Sequence, residues 1–396
     1  MMHCTIDNGI LTVELPERLD ATIAVSVGDE LRQMVELIKH DGIVLDGQHM
    51  NYIGSSGLRI LLTLAKREKE MQVVNLSPEV YNVFETSGFN KLMRVRKALR
   101  QVNLEGMDVM GVGSCSMLYQ ISPEEMVKVF YADVPQEVID RELFLAKEAF
   151  MLGVPTAICY EKVDCGGGRT GIVFESMNTR PVGDLVQENP DRIPELAEKM
   201  GVALRELHQK KLTKGVFHSM KERYRKQLRT LDKLYTKEEW DILKSFIDNI
   251  PDGKVLLHGD PHTRNVMVRD DEVVFLDCSE MAYGNELMDL GHAMLAILGV
   301  MPTEKREERE ALMLCGMNPV NAEKFWHELL ACYLGTRDEI QIKELYNRAL
   351  AYMLLRMALM PALKTEFVEK YLQQILISVR VLFFPNAEGL IGLVKE

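Results

Sequence analysis

The stretch Leu256-Leu257-His258-Gly259-Asp260-Pro261-His262-Thr263-Arg264-Asn265-Val266-Met267-Val268, followed by Val273-Val274-Phe275-Leu276-Asp277, constrains the fold more than any other part of the chain. Short apolar runs flank a polar loop, so two strands bracket a turn that offers Asp260 and Asn265, and a further strand delivers Asp277. Taken singly, an Asp or Asn in a loop is a turn former. Taken together, the three match what phosphoryl transfer asks of a protein: a base that aligns the attacking hydroxyl, and oxygen ligands that hold magnesium on nucleotide phosphates. Asp260 fits the base, and Asn265 and Asp277 fit the metal ligands.

A nucleotide site needs a second half, and residues upstream offer one. Lys128 stands in the strand-like Met126-Val127-Lys128-Val129-Phe130, behind the glycine-punctuated Gly111-Val112-Gly113-Ser114-Cys115-Ser116. Val138 to Leu152 reads as an amphipathic helix beginning near Arg141-Glu142, so Lys128 can contact the α and β phosphates while Glu142 holds it as an ion pair. The glycine segment has Ser116 where a third glycine would stand and lacks the Gly-Lys-Ser/Thr ending of a Walker A loop. An edge-strand lysine and a first-turn glutamate are ordinary surface features; their joint placement before His258-Gly259-Asp260 gives them a different meaning. Thr156 to Asp164 and Thr170 to Met177 read as a hairpin turning at Gly166-Gly167-Gly168, with Glu175-Ser176-Met177 as a hinge whose backbone meets the adenine edge. After Arg180-Pro181 the pattern becomes mainly helical.

The segment around Asp260 resembles the catalytic loop of the aminoglycoside phosphotransferase-like kinases, in which His-Gly-Asp replaces the His-Arg-Asp of protein kinases. The run from Asp277 through Gly284 to Asp289-Leu290-Gly291, and Met200-Gly201-Val202-Ala203-Leu204-Arg205-Glu206-Leu207-His208, match that family as well. The resemblance implies an α+β two-lobed protein kinase-like fold with a largely helical C-terminal lobe, an N-lobe over about 103–178 and a C-lobe over about 182–396. It implies ATP and Mg2+ as cofactors, with Gly111, Gly113, Ser116, Lys128, Glu142, Glu175 and Met177 on the nucleotide. The resemblance places the acceptor pocket in the helical tail from 286 to 396; near the catalytic loop, Glu280, Glu286 and Asp289 could draw an amine-bearing, cationic alcohol, with aminoglycosides, choline, other amino alcohols and sugars all open.

Residues 4 to 100 follow another pattern, with strands and helices in alternation. Ile10, Leu11, Val13 and Leu15 suggest a strand; Thr22 to His40 is helical; Gly42 to Leu45 and Gln72 to Leu76 are strands; Pro78 opens a helix with Val80, Val83 and Phe84 on one face. A second helix follows from Gly57, entered through Tyr52-Ile53-Gly54-Ser55-Ser56. A hydroxyl there lies where free N–H groups and the helix dipole converge, a place that suits a phosphate, although Ser-Ser-Gly alone reads as an N-cap. The order Arg18-Leu19-Asp20-Ala21, Gly42 to Asp46, Ser55-Ser56-Gly57-Leu58, Ser77-Pro78-Glu79-Val80 and Ser87-Gly88-Phe89 resembles a STAS domain, the anti-sigma factor antagonist family. The resemblance implies an α/β sheet with helices over 1–102, a protein partner, and Ser56, with Ser55 beside it, as phosphoacceptor. An Asp commonly precedes the two serines in that family, and Gly54 stands there in this chain.

With 47% hydrophobic and 27% charged residues the chain has ample material for folded cores, which excludes a disordered or collagen-like class. The net charge of -12 is unevenly held: residues 1–100 carry -1 and the remainder -11. That balance lacks the basic footprint of a nucleic-acid binder. Seven scattered cysteines, Cys4, Cys115, Cys159, Cys165, Cys278, Cys315 and Cys332, show no zinc spacing and read as reduced and cytosolic. Leu290 to Pro302 is the longest apolar stretch singled out and is too short to span a membrane, so a cytoplasmic protein with no membrane association is expected. Methionines such as Met281, Met288, Met294 and Met301 read as core filler, and His218 and His262 as non-metal residues.

The combined expectation is an ATP- and magnesium-dependent phosphotransferase acting on a small-molecule hydroxyl, over 103–396, behind a STAS regulatory or partner-binding module. Two alternatives stand beside it: a signalling protein whose STAS serine is phosphorylated as a switch, and a nucleotide-binding scaffold without turnover.

Overall fold

The computed structural model describes residues 2–113, 115–212, 215–299 and 317–395; Ser114, Val300 to Pro302 and Cys315, named above, lie outside them. The chain divides into two compact units, Met1–Val102 and Asn103–Glu396.

In the first unit Cys4–Asp7 and Ile10–Glu14 form an antiparallel hairpin through Asn8 and Gly9, both at positive φ (46° and 80°), as a tight two-residue turn requires. Ile10–Glu14 then pairs in parallel with Gly42–Asp46, which pairs in parallel with Gln72–Leu76, and Arg94–Lys97 closes the far side in the same direction. Parallel neighbours need crossovers, and the helices Ala24–Leu37, Ser55–Arg67 and Pro78–Thr86 supply them. Leu11 and Val13 are buried while their neighbours are not, so the Ile10–Glu14 strand has one face on the core. Leu31, Leu61 and Phe84 pack there with Ile43, Leu45 and Val73. Gly57 lets the Ser55–Arg67 helix approach the chain, since a Cβ would stand 2.6 Å from the Leu19 carbonyl oxygen. That helix begins two residues earlier than the sequence pattern suggests, and its N-cap is Gly54. Ser55 and Ser56 are therefore its first helical residues.

In the second unit an antiparallel sheet has Cys159–Asp164, Thr170–Glu175, Glu125–Phe130, Ser116–Gln120 and Val109–Val112 as successive neighbours. Gly166, Gly167 and Gly168 all have positive φ and form the turn of the Cys159–Glu175 hairpin. The helix that carries Glu142 spans Gln136–Met151, with Pro135 as N-cap. Glu142 thus lies in its second turn and not at its start, because the fixed φ of Pro135 sets the entry and Ile139, Leu145, Ala146 and Ala149 form the buried stripe.

The remainder is helical apart from short strands. Val266–Arg269 and Glu272–Phe275 form a hairpin, and Val255–Leu257 pairs with Ala282–Gly284. Helices Ile193–His208, Leu287–Leu298, Pro319–Leu334 and Glu339–Leu359 build the large core with Trp326, Phe325 and Phe246. Met281, Met288 and Met294 are buried in it. Gly201 lets the first of these helices approach Pro319–Leu334, since a Cβ would meet the Leu329 carbonyl oxygen at 2.6 Å. The segment Glu366–Lys395 is long and apolar enough to cross a membrane, a feature the sequence pattern above did not isolate. Here it breaks its helical geometry at Tyr371, and Val368, Ile375, Val379 and Val394 are packed into the core. The six described cysteines are free.

Candidate active site

The loop between Val255–Leu257 and Val266–Arg269 is fixed before any ligand is considered. Gly259 sits at φ 87° with no room for a side chain: a Cβ would come 2.2 Å from the Glu280 carbonyl oxygen. His258 is fully buried; its Nε2 donates to the Leu276 carbonyl oxygen at 3.0 Å and its Nδ1 accepts from the Asp260 N–H at 3.2 Å. The imidazole thereby links the Asp260 loop to the strand end that carries Asp277.

Asp289 completes this frame. Its carboxylate accepts from the His258 N–H at 2.7 Å and the Gly259 N–H at 2.8 Å, and His208 Nε2 lies 3.3 Å away. Burial opposes its ionisation, but His208 and the loop N–H groups outweigh that and hold the carboxyl below its ordinary range. Asp289 is therefore committed to the loop and does not face an acceptor. Glu280 is committed too, since Arg223 pairs with its carboxylate and donates to its carbonyl oxygen at 2.9 Å.

Asp260, Asn265 and Asp277 come together. Asn265 Nδ2 donates to the Asp260 carbonyl oxygen at 3.1 Å and to Asp260 Oδ2 at 3.3 Å, which orients both side chains. The Leu276 N–H donates to the Asn265 carbonyl oxygen at 2.8 Å, placing Asn265 beside the residue before Asp277. His292 Nδ1 donates to the Gly259 carbonyl oxygen at 2.7 Å, and its Nε2 lies 3.1 Å from Asp260 Oδ1. Burial and the Arg356 guanidinium push His292 down to about 4 against the pull of Asp260. His262 Nε2 stands 3.6 Å from Asp260 Oδ2.

Lys128 reaches this cluster from the sheet. Its Nζ donates to Glu142 Oε1 at 2.7 Å and to Asp277 Oδ1 at 3.4 Å, and Ser279 Oγ donates to the same Asp277 oxygen at 2.7 Å. The Lys128 and Glu142 side chains are 17% and 7% exposed, so the pair is poorly screened. Burial works against the ammonium, yet Asp277 and Glu142 outweigh it and hold Lys128 above its ordinary value. Burial likewise opposes ionisation of Asp277, and Lys128 and Ser279 reverse it.

Glu175 and Met177 lie at the end of the hairpin. The Glu175 N–H donates to the Ile158 carbonyl oxygen and the Ser176 N–H to that of Glu124, each at 2.8 Å. The Met177 N–H has no partner among the described residues. Gly111 and Gly113 belong to a hairpin in which Leu118 pairs with Gly111 and the Gly113 N–H donates to the Ser116 carbonyl oxygen at 2.8 Å. Neither glycine is crowded, the nearest atoms to an added Cβ being 3.8 and 3.5 Å away. Ser116 is buried.

The donor set suits magnesium. Asn265 spends its amide nitrogen on Asp260, which leaves Oδ1 as its accepting end, and Asp277 adds a carboxylate. Two such oxygen ligands are what magnesium takes from a protein when phosphates and water fill its other positions. No cluster of three or more His, Cys, Asp or Glu suited to a metal occurs among the described residues.

In the first unit Ser55 is exposed and Ser56 half-buried. Gly54 offers no side-chain cap, and the first turn of their helix contains no acidic residue.

Sequence reasoning did not give Asp289 and His292 their places. Their spacing of three puts both on one face of the Leu287–Leu298 helix, but nothing in the spacing says that this face meets the loop.

The sequence model of the phosphotransferase enzyme family matches residues 131–312, and that of the STAS domain matches residues 2–102. BtrV of Bordetella bronchiseptica, named as an anti-sigma factor antagonist, is 33% identical over 91 residues, which cover 22% of this chain and 71% of BtrV. Among solved structures, a choline/ethanolamine kinase family protein from Mesorhizobium loti is 14% identical with a TM-score of 0.45, covering 74% of this chain and 94% of that one. Aminoglycoside phosphotransferase APH(2'')-Ib, ADP-bound, is 15% identical with a TM-score of 0.47, covering 71% and 95%.

Proposed function

Because this chain belongs to the STAS family through residues 2–102 and carries a phosphotransferase-family domain in its second unit, we propose that it moves the γ-phosphoryl group of ATP to a small-molecule hydroxyl. The observation that carries the reading is the pair of hydrogen-bonded sets, Glu142 through Lys128 to Asp277 and Asn265 to Asp260, brought together by the Leu276 N–H on the Asn265 carbonyl oxygen.

Each residue has work suited to its surroundings. Lys128, fixed by Glu142, pairs with the α and β phosphates. The backbone of Glu175 to Met177, where the Met177 N–H has no partner among the described residues, would meet the adenine edge, and Gly111 and Gly113, bare of side chains, would lie over the phosphates. Asn265 Oδ1 and the Asp277 carboxylate would hold magnesium, whose charge would neutralise the phosphate oxygens. Asp260, steered by Asn265 and His292, aligns the acceptor hydroxyl. As the acceptor oxygen bonds to phosphorus and the bond to the ADP oxygen breaks, the hydroxyl proton passes to the Asp260 carboxylate. The 1–102 module serves as the partner-binding or regulatory part. A cytoplasmic setting suits ATP as donor and the free cysteines.

The test is an acceptor screen with the full chain, ATP and magnesium. Asp260→Ala is expected to lower transfer by roughly two or more orders of magnitude; transfer unchanged in that variant overturns the reading, and nucleotide binding without turnover on any acceptor favours a scaffold.

A second reading is favoured by the serines themselves. Their helix starts without a side-chain cap, so its first N–H groups and positive dipole end are open to a phosphate on Ser56. Phosphopeptide mass spectrometry after incubation with ATP and magnesium decides it, and absence of label on both Ser55 and Ser56 removes it.

A further inference from the structure

Arg356, near the end of the Glu339–Leu359 helix, is 8% exposed. It has no ion-pair or hydrogen-bond partner among the described residues. Taking a cation out of water without a counter-charge is costly, so a fold that keeps one there is built to receive an anion. One turn back along the same face stands Tyr352, 1% exposed with its hydroxyl unpartnered, and a further turn back Arg348, whose buried Nε is also without a partner.

This face packs on the Leu287–Leu298 helix, which carries His292. A Cβ on Gly291 would stand 2.6 Å from Tyr352 Cβ, so the Leu287–Leu298 and Glu339–Leu359 helices touch there. The next residue, His292, lies 3.1 Å from Asp260 Oδ1 and feels the field of Arg356. Tyr224, from the Met220–Arg229 helix, is pushed up by burial, and Arg356 and Arg223 act on it against Asp289 and Glu280. Arg141, whose Nη2 donates to the Val216 carbonyl oxygen at 2.8 Å, is depressed by burial and then by Arg223. His218 is depressed by burial and by Arg141, Lys226 and Arg223. Arg356 is thus a cation with no ion-pair partner among the described residues, close to the loop that carries Asp260 and to Asp289. The acids that might have drawn a cation are reduced to half-buried Glu286, since Asp289 holds the loop and Glu280 holds Arg223.

We infer that the acceptor carries an oxyanion, a carboxylate or a phosphate ester, received by Arg356 while Asp260 aligns its hydroxyl. This rests on the phosphotransferase reading above. The planar guanidinium fork suits either anion by paired hydrogen bonds.

The test uses the full chain with ADP and magnesium present, so that the nucleotide site is filled, and inorganic sulfate as a non-reacting probe in titration calorimetry. Saturable binding is expected in the unaltered protein, weakened roughly tenfold or more by Arg356→Gln, with Arg356→Lys between. Absence of saturable binding, or binding indifferent to Arg356→Gln in a protein whose circular dichroism is unchanged, overturns the inference. Should Arg356→Gln fail to fold, Arg356→Lys alone carries the comparison. Matched panels of hydroxy acids, sugar phosphates and amino alcohols are then offered with ATP. Turnover of hydroxy acids identifies a carboxylate, and turnover of sugar phosphates a phosphate ester. Asp260-dependent turnover of amino alcohols alone overturns the inference and leaves the phosphotransferase reading standing. Transfer that ignores Asp260→Ala overturns that reading, while sulfate binding still reports on Arg356.

Discussion

Replacing Asp289 by alanine should unfold the second unit far more readily than its position outside the reacting set suggests. The carboxylate is 1% exposed and satisfies two backbone N–H groups, of His258 and Gly259, besides His208. Each buried donor left without an acceptor costs about 1–3 kcal/mol, so the two N–H groups alone give about 2–6 kcal/mol. Set against total stabilities of about 5–15 kcal/mol, that is a large fraction. Asp289→Asn keeps the shape and one acceptor oxygen, so it should fall between. Both tryptophans, Trp240 and Trp326, lie in the second unit, so tryptophan fluorescence during urea unfolding of the full chain reads this unit alone. The expected result is a lower midpoint with an unchanged slope. The pH dependence has a definite sign: the Asp289 carboxyl is held low in the fold, so its contribution is complete above the ordinary carboxylate value and is lost as pH falls through the depressed one. The gap between the unaltered protein and Asp289→Asn should therefore narrow below about pH 4. A loss under about 1 kcal/mol in Asp289→Ala at neutral pH, with transfer intact, would refute the reasoning.

Glu142→Gln leaves Lys128 buried with Asp277 as its remaining carboxylate, and should raise the KM for ATP and lower kcat in steady-state assays; unchanged kinetics would remove the ion pair from the nucleotide site. Gly259→Ala forces a side chain toward the Glu280 carbonyl oxygen at positive φ, and should abolish transfer at a cost of about 1–3 kcal/mol or more in urea. His292→Ala should lower kcat with little change in the KM for ATP, because His292 touches Asp260 and Gly259 and none of the nucleotide residues; a purely KM effect would contradict this. Phe84→Ala should destabilise the first unit by about 3–5 kcal/mol, seen as faster amide exchange in Gln72–Leu76 with the tryptophan transition unmoved.

The parts of the site legible in the sequence are those whose chemistry is local. Asp260, Asn265 and Asp277 are held by one hairpin, in which Val266 pairs with Phe275, so their spacing along the chain already reflects their spacing in space. Lys128 and Glu142 stand on consecutive elements. Asp289 was not legible: it meets its two N–H partners across 30 and 31 residues, and nothing in a sequence separates a carboxylate spent on backbone from one facing solvent. Arg356 is further away still, and only burial reveals that it lacks a partner. In the first unit the central strands show apolar alternation. Cys4–Asp7 and Arg94–Lys97 are mostly exposed edges without it, and only Asn8-Gly9 marks the hairpin.

The contact of Lys128 with Asp277 has a consequence for the order of events. The Lys128 ammonium rests 3.4 Å from the Asp277 carboxylate, the group that would hold magnesium under the proposed reading. Free metal would have to evict it, whereas the phosphates of an arriving nucleotide offer Lys128 another anion and release Asp277. Under the proposed reading, lysine and metal would compete for Asp277 until nucleotide phosphates engage Lys128. Metal should accordingly bind weakly by itself and tightly in company.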